Sequence, residues 1–551
     1  MSASTISTAP STAKFLRSPK TVVGRFTAIR TARSSLILGL ILSLYMISKA
    51  SAYLKAYPTE LARQKLGESL GTNVGIEALL GVAHRIDTVS GYVTWNFLCL
   101  IAAAGAIWAL LVATKTFRGE EDSGHWELFL AGQTTARRAA TNTVAGLASG
   151  LVTMYTTIAL GVLSIGTFNG ADFATSASLF FALALTAGAA EFMAVGALAS
   201  QLMPIRSRAA GLSAAIFGVF YMLRVIADST SAHWLLNISP LGWIERLQPM
   251  YNSQPVWLLP IGSFVAILCG LTIWFAGRRD LGEGILTDKD TVKPKTSLLH
   301  SPFGAALRLN RTVTLGWLIA VALVAYMYGE LAKSAAQIVQ STTIKPILNR
   351  LAQAAHTQAV LAFLGFTFFF IMLVIMFYAA NAVGRMRDDE AKGYLDNFLV
   401  RPVSRHRWLI GRILLVVGTV VVAGLLGSLS AWAGGASQHV GVALHTLLFA
   451  GANIMAPALL VLGIGIFTFG IIPRATSAIT YGAIGWSFLI SMLGSGINLN
   501  HWLLDTSILH QVAFAPAVNA NWSSNAILVA IGLALGIVGA LRFNTRDLQG
   551  E

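Results

Sequence analysis

Glu191 is the one acid within an apolar stretch running from about residue 174 to 202. A carboxyl group in such a place can contact a cationic solute, carry a proton, or hydrogen-bond to a neighbouring helix. Arg224 and Asp228 stand at i and i+4 near the end of the next apolar stretch. That spacing suits an ion pair within one helix or a polar contact to a solute. Two further stretches are charged and lie between apolar runs. Residues 118–138 read RGEEDSGHWELFLAGQTTARR and residues 387–407 read RDDEAKGYLDNFLVRPVSRHR. A constant offset of 269 pairs Glu120 and Glu121 with Asp389 and Glu390, Gly124 with Gly393, and Glu127 with Asp396. The same offset pairs Phe129 and Leu130 with Phe398 and Leu399. Trp126, Phe129 and Leu130 are spaced i, i+3, i+4, as are Leu395, Phe398 and Leu399, so each trio falls on one face of a short helix. An apolar face on a charged loop predicts a docking surface for another protein. The acids precede and the arginines follow, which also suits the helix dipole, so the charges need not all serve a partner.

Other chemistries find no footing. The chain contains no Gly-Lys dipeptide, hence no phosphate-binding loop of the GxxxxGK[ST] type. Its histidines are scattered without ligand spacing, and no metal site is expected. Cys99 and Cys269 both lie in apolar runs and read as small buried residues, with no disulfide framework. No nucleophile or general-base constellation is present, so an enzyme is not expected.

The elements that must position these residues follow from composition. Of 551 residues, 55% are hydrophobic and only 11% charged, against roughly a quarter charged in an average soluble chain. Mean hydropathy is +0.67. This predicts an all-α polytopic membrane protein. The net charge of +15 does not point to nucleic acid, because the bases lie in gaps between apolar runs. Spans are predicted at about 34–53, 91–116, 139–164, 174–202, 209–229 and 256–277, then at about 312–331, 356–380, 409–432, 442–469, 477–493 and 525–541. Residues 233–251 and 500–522 are apolar but broken, and suit re-entrant elements better than spans. The domains are then 1–33 (a tail and a surface helix), 34–281 (a first six-helix half), 282–300 (a polar linker) and 301–551 (a second half with its own surface helix near 298–311). Of the 39 Lys and Arg, 29 fall on one side of this twelve-span arrangement, which places both termini and both copied loops in the cytoplasm of a cell bounded by this plasma membrane.

The motif Glu-Glu-x-x-Gly-x-x-Glu-Leu-x-Leu-Ala, beginning at Glu120 and followed by Arg137 and Arg138, resembles the cytoplasmic coupling loop of type V ATP-binding-cassette exporter permeases. More closely, the chain is similar to actinobacterial permeases named as polyketide-antibiotic exporters. The matching pieces are 120–138, 201–208, 223–228, Ser239-Pro240-Leu241-Gly242-Trp243, 278–281 and Pro402-Val403-Ser404-Arg405 ahead of Trp408. The resemblance implies a fused two-repeat permease of twelve helices, with elbow helices near 15–33 and 298–311, coupling helices in 120–138 and 389–407, and outer re-entrant hairpins at 233–251 and 500–522. It implies two copies of a separate ATPase subunit that bind ATP and Mg, no cofactor in this chain, and export of large apolar compounds such as antibiotics, drugs or lipids. It also implies that spans two, five, eight and eleven border a cavity, which would give Phe217 and Tyr221, with Phe366, Phe370 and Phe377, an aromatic wall. Packed or lipid-facing aromatics fit the same spacing. Ser507-Ile508-Leu509 departs from the family's usual Ser-Pro-Phe, and Gln133-Thr134 stands where the second copy has Pro402-Val403. A proton-coupled secondary transporter using Glu191 is the alternative, and a membrane scaffold a third class.

Overall fold

The computed structural model describes residues 19–70, 81–131, 134–168, 171, 173–229, 232–286, 298–299, 301–340, 359–400, 403–494 and 500–548. Among the described residues every regular element is a helix. The chain divides into two compact units, Met1–Val292 and Lys293–Glu551.

The first unit holds α1 (Pro19–Ala56), α2 (Glu60–Leu70), α3 (Val89–Thr114), the short α4 (His125–Leu130), α5 (Ala136–Gly166), α6 (Thr175–Leu202), α7 (Arg206–Ser229), α8 (Pro240–Arg246) and α9 (Leu258–Ala276). The second holds α10 (Pro302–Gln340), α11 (Ala359–Ala391), the short α12 (Tyr394–Leu399), α13 (Arg405–Ser437), α14 (Leu444–Asn453), α15 (Met455–Ile471), α16 (Thr476–Gly494), α17 (His501–Asp505) and α18 (Trp522–Thr545). Within the first unit α1 packs on α5, α3 on α6, and α6 on α9. Within the second, α10 packs on α13, α11 on α15, and α15 on α18. In a membrane these helices satisfy their own backbone groups and gain from close packing rather than from expelling water.

Small residues make that closeness available. A Cβ on Gly150 would lie 2.2 Å from Cγ2 of Thr31, and one on Gly161 would lie 2.6 Å from Cβ of Ser43, so α5 sits backbone to backbone on α1. The Ser43 hydroxyl donates across this seam to the Thr157 carbonyl at 3.1 Å. Between α15 and α18, a Cβ on Gly463 would lie 2.1 Å from the Gly532 carbonyl oxygen.

Three expectations change. The surface helices near 15–33 and 298–311 are not separate elements over the described residues. α1 and α10 are each continuous through the expected boundary. The reason is visible in α1: Thr27, Thr31, Ser35 and Ser43 are all buried, so one small-residue face crosses the boundary at 33 and holds the helix in one piece. The span near 442–469 is found as Leu444–Ile471 but is broken within its length into two helices. Pro457 cannot donate to the Asn453 carbonyl, and α14 ends there. The Asn453 side chain stitches the break, donating to the Ala513 carbonyl at 2.8 Å and accepting from the Asn525 amide at 2.9 Å. Finally, eleven of the twelve expected spans correspond to helices that, among the described residues, are long and apolar enough to cross a membrane. The expected span at 477–493 corresponds to α16, which is not among the eleven and is followed by residues 495–499, outside the described residues.

The broken segments contain no helix of spanning length. In the first, a 3₁₀ turn His233–Asn237 leads into α8, where Leu241 and Ile244 are buried in their own unit. In the second, Ser507 is fully buried and donates to the Ser487 carbonyl at 2.9 Å, while the Ile508 amide donates to the Ser487 hydroxyl at 3.1 Å. Ser507-Ile508-Leu509 is thus an anchoring turn.

Candidate functional site

The first copied loop begins where α3 loosens into a π turn, Lys115–Gly119, followed by a single turn, Glu120–Asp122. Gly124 then takes φ +78° with open space around it, so the backbone conformation alone calls for glycine. Gly393 takes φ +69° at the matching place. The reversal launches α4 in one unit and α12 in the other. Thr135 and Ser404 then cap α5 and α13, accepting from the Arg138 and Arg407 amides.

The acids in these loops turn inward. Glu121 accepts a fork from Arg279 at 2.7 and 2.6 Å and pairs with Arg118 at 2.8 Å. Glu390 accepts a fork from Arg546 at 2.5 and 2.7 Å and pairs with Arg387 at 3.4 Å. The Arg118 side chain is fully buried and also donates to the carbonyls of Met203 and Glu283. Glu120 is held by Arg30 and by His125, whose Nδ1 lies at 2.6 Å. Asp389 is held by Arg412. The sequence reading placed these four acids at a partner contact; the geometry gives them to their own unit. Glu127 and Asp396 are exposed.

The apolar trios divide in the same way. Trp126 and Leu395 are buried and anchor their helices, so they do not face outward. The side chains of Phe129, Phe398 and Leu399 lie outside the described residues, and Leu130 is half-buried. Among the described residues, the exposed apolar side chains of these loops are ones the i, i+3, i+4 pattern passed over: Leu128 at 73% exposure, Tyr394, and Val400 at 88%. Arg279 and Arg546 were also missed as site residues. Their signal was the repeated Arg-Asp-Leu at 279–281 and 546–548.

At the opposite end of the first unit, Arg224 on α7 is buried between Asp228, 2.7 Å away, and Glu245 of α8, 3.3 Å away. The i, i+4 pair is therefore one side of a three-residue cluster, and the substrate-contact reading loses ground to an internal one. Beside it lies a cavity of about 180 Å³ lined by His84, Trp95, Cys99, Glu245, Gln248 and Tyr251. Burial, with the Glu245 charge added, pushes the Tyr251 phenol well above its ordinary range. Three residues bordering this region, Arg85, Gln248 and Met250, have positive φ without being glycine.

Glu191 lies mid-way along α6, fully buried, and neither carboxyl oxygen has a hydrogen-bond partner among the described residues. Of the readings open for Glu191, the hydrogen bond to a neighbouring helix is not made among the described residues. Of the aromatic residues, Phe217 packs edge-on against Phe192 at 5.2 Å and stacks near Tyr221 at 5.9 Å. Phe366 meets Phe370 at 4.8 Å, and Phe370 stacks on Tyr328 of α10 at 6.3 Å. Phe377 is exposed and neighbours Tyr481 on α16. Each of these rings has an aromatic neighbour in its own unit, and Phe377 is the most open. Among the described residues no cluster of His, Cys, Asp and Glu could hold a metal ion.

The family model described as the C-terminal domain of the multidrug efflux system permease Rv1217c matches residues 59–274 and 299–544. The chain belongs to this multidrug efflux permease family. It is 28% identical over 504 residues to the multidrug efflux system permease protein Rv1217c of Mycobacterium tuberculosis (strain ATCC 25618 / H37Rv), covering 90% of this chain and 88% of that one. This permease is therefore a multi-pass membrane transporter.

Proposed function

We propose that this permease is the membrane-spanning subunit of an ATP-driven exporter that moves large apolar compounds out of the cell by alternating access. Twelve helices work as two six-helix repeats, with both termini cytoplasmic, and α16 supplies the span beyond the eleven. The domain boundaries follow 1–33, 34–281, 282–300 and 301–551. The broken segments at 233–251 and 500–522 serve as outer re-entrant hairpins. Two copies of a separate ATPase subunit bind ATP and Mg and press on the loops 120–138 and 389–407; closure of that pair moves both loops together. The name of the Mycobacterium relative supports drug efflux as the task.

One observation carries this reading. Each unit holds the same buried acid–arginine clamp behind a short helix whose outer apolar residues, Leu128 in one and Tyr394 and Val400 in the other, are exposed among the described residues. A loop that merely connects two spans has no use for a rigid back and an apolar front. The test is gentle solubilisation of the tagged chain from its own cells and identification of what copurifies. A soluble ATPase at about two copies per permease is expected, lost when Leu128→Glu and Val400→Glu are combined. A permease that purifies alone contradicts the reading. The alternative, a proton-coupled secondary transporter, would rest on Glu191, which is buried with no hydrogen-bond partner among the described residues.

A further inference from the structure

Each buried loop acid sits where three helices of its unit end. Glu121 follows α3. Its partner Arg279 follows α9, and the Arg279 Nε donates to Oε1 of Gln201, at the end of α6, at 2.7 Å. The Gly282 amide donates to the same Glu121 carboxylate at 2.7 Å, and Arg279 also reaches the Glu283 carbonyl at 2.9 Å. In the second unit Glu390 ends α11, Arg546 follows α18, and Arg546 donates to the carbonyl of Phe469 on α15 at 3.1 Å. The two nodes are built from corresponding helices. In both, one arginine places two parallel N–H donors on one carboxylate. That fork fixes direction as well as distance, which a single ammonium contact does not.

The chemistry of the nodes suggests transmission. Each loop is joined by the chain to the helix before it and the helix after it. Nothing in the covalent chain joins it to the last helix of its unit. From these contacts we propose that Arg279 and Arg546 are positioning residues that bolt each loop to α9 and α18, so that a push on Leu128 or Val400 moves the first and last helices of the node together. The inference rests on the ATP-driven reading above. Removing a bolt leaves the docking face in place, because Trp126 and Leu395 still anchor the short helices. ATP is then hydrolysed, but the motion reaches only part of the unit.

The test uses the wild-type permease copurified with its ATPase in lipid vesicles, beside Arg279→Gln, Arg546→Gln, Arg279→Lys and Arg546→Lys. ATP hydrolysis and outward movement of Nile red or ethidium, whichever the wild-type complex exports, are measured per permease copy. In the Gln variants the ATPase is expected to copurify and to hydrolyse ATP near the wild-type rate while export falls by roughly tenfold, the size of an ordinary coupling free energy. The Lys variants, which keep the charge and lose the fork, are expected to fall between. Hydrolysis and export falling in the same proportion, or export unchanged in the Gln variants, overturns the proposal. Should a Gln variant fail to accumulate, its Lys counterpart decides: export per copy equal to wild type overturns the bolt, and a lower ratio of export to hydrolysis supports it. Failure of the underlying reading shows itself elsewhere, as a wild-type preparation without any ATPase.

Discussion

Glu191 and Arg224 are both buried charges in name, and they differ in what surrounds them. Arg224 has acids on two sides, whereas Glu191 has no hydrogen-bond partner among the described residues. Arg224→Met would strand Asp228 and Glu245, and uncoupling a buried pair of this kind costs roughly 3–5 kcal/mol. The expected result is a markedly lower melting temperature in detergent, with Asp228→Asn milder because Glu245 still faces the guanidinium. Equal melting of all three proteins would show that the cluster contributes nothing. For Glu191 the expectation is reversed. Glu191→Gln keeps shape and removes the charge, so amount and melting stay near wild type while export of ethidium falls by about tenfold if the carboxyl contacts cations. An unchanged ethidium profile removes Glu191 from the transport path. Sequence sufficed to single out Glu191 and the Arg224/Asp228 pair, since an acid in an apolar run needs no structure to stand out. It could not supply Glu245, which reaches Arg224 from another element twenty-one positions away.

At the scale of elements, most helices could be read from apolar runs, and α5 and α6 lie within a few residues of where they were expected. The failures have physical causes. Hydropathy marks where a helix is apolar, not where it ends, so the polar starts of α1 and α10 looked like separate surface helices. Pro457 was visible, yet the break before it became readable only with the Asn453 contacts to Ala513 and Asn525. Helical spacing found the short loop helices but put Trp126 and Leu395 on the outer face, whereas both are buried anchors, because six residues make fewer than two turns. Small-residue seams carry a prediction at this scale. Gly150→Leu should wedge α1 from α5 and sharply reduce the amount of folded permease. Gly218→Ala, where a new methyl meets nothing within 4 Å, should accumulate normally. Fluorescence-detected size-exclusion chromatography of tagged chains checks both, and a normal Gly150→Leu peak would show that the seam is looser than its distances state.

At the scale of the whole molecule, the repeat was the most legible feature, since the loops align at one offset without any structure. What the offset could not show is that the matched acids and the matched Arg-Asp-Leu motifs are partners within each unit. They lie 158 and 156 positions apart in sequence and meet because the last helix packs on α6 or α15, which in turn packs on α3 or α11. The proposed coupling rests on this recurrence within the chain. The energy source tests that reading most directly. Inside-out membrane vesicles carrying the chain with its copurified partners would be given ATP in the external medium or only a proton gradient, and ethidium and Nile red uptake followed. Uptake that requires ATP, survives collapse of the gradient by a protonophore and disappears in the combined Leu128→Glu and Val400→Glu variant is the expected result. Uptake driven by the gradient without ATP, and abolished by Glu191→Gln, would contradict it and make this chain a proton-coupled transporter.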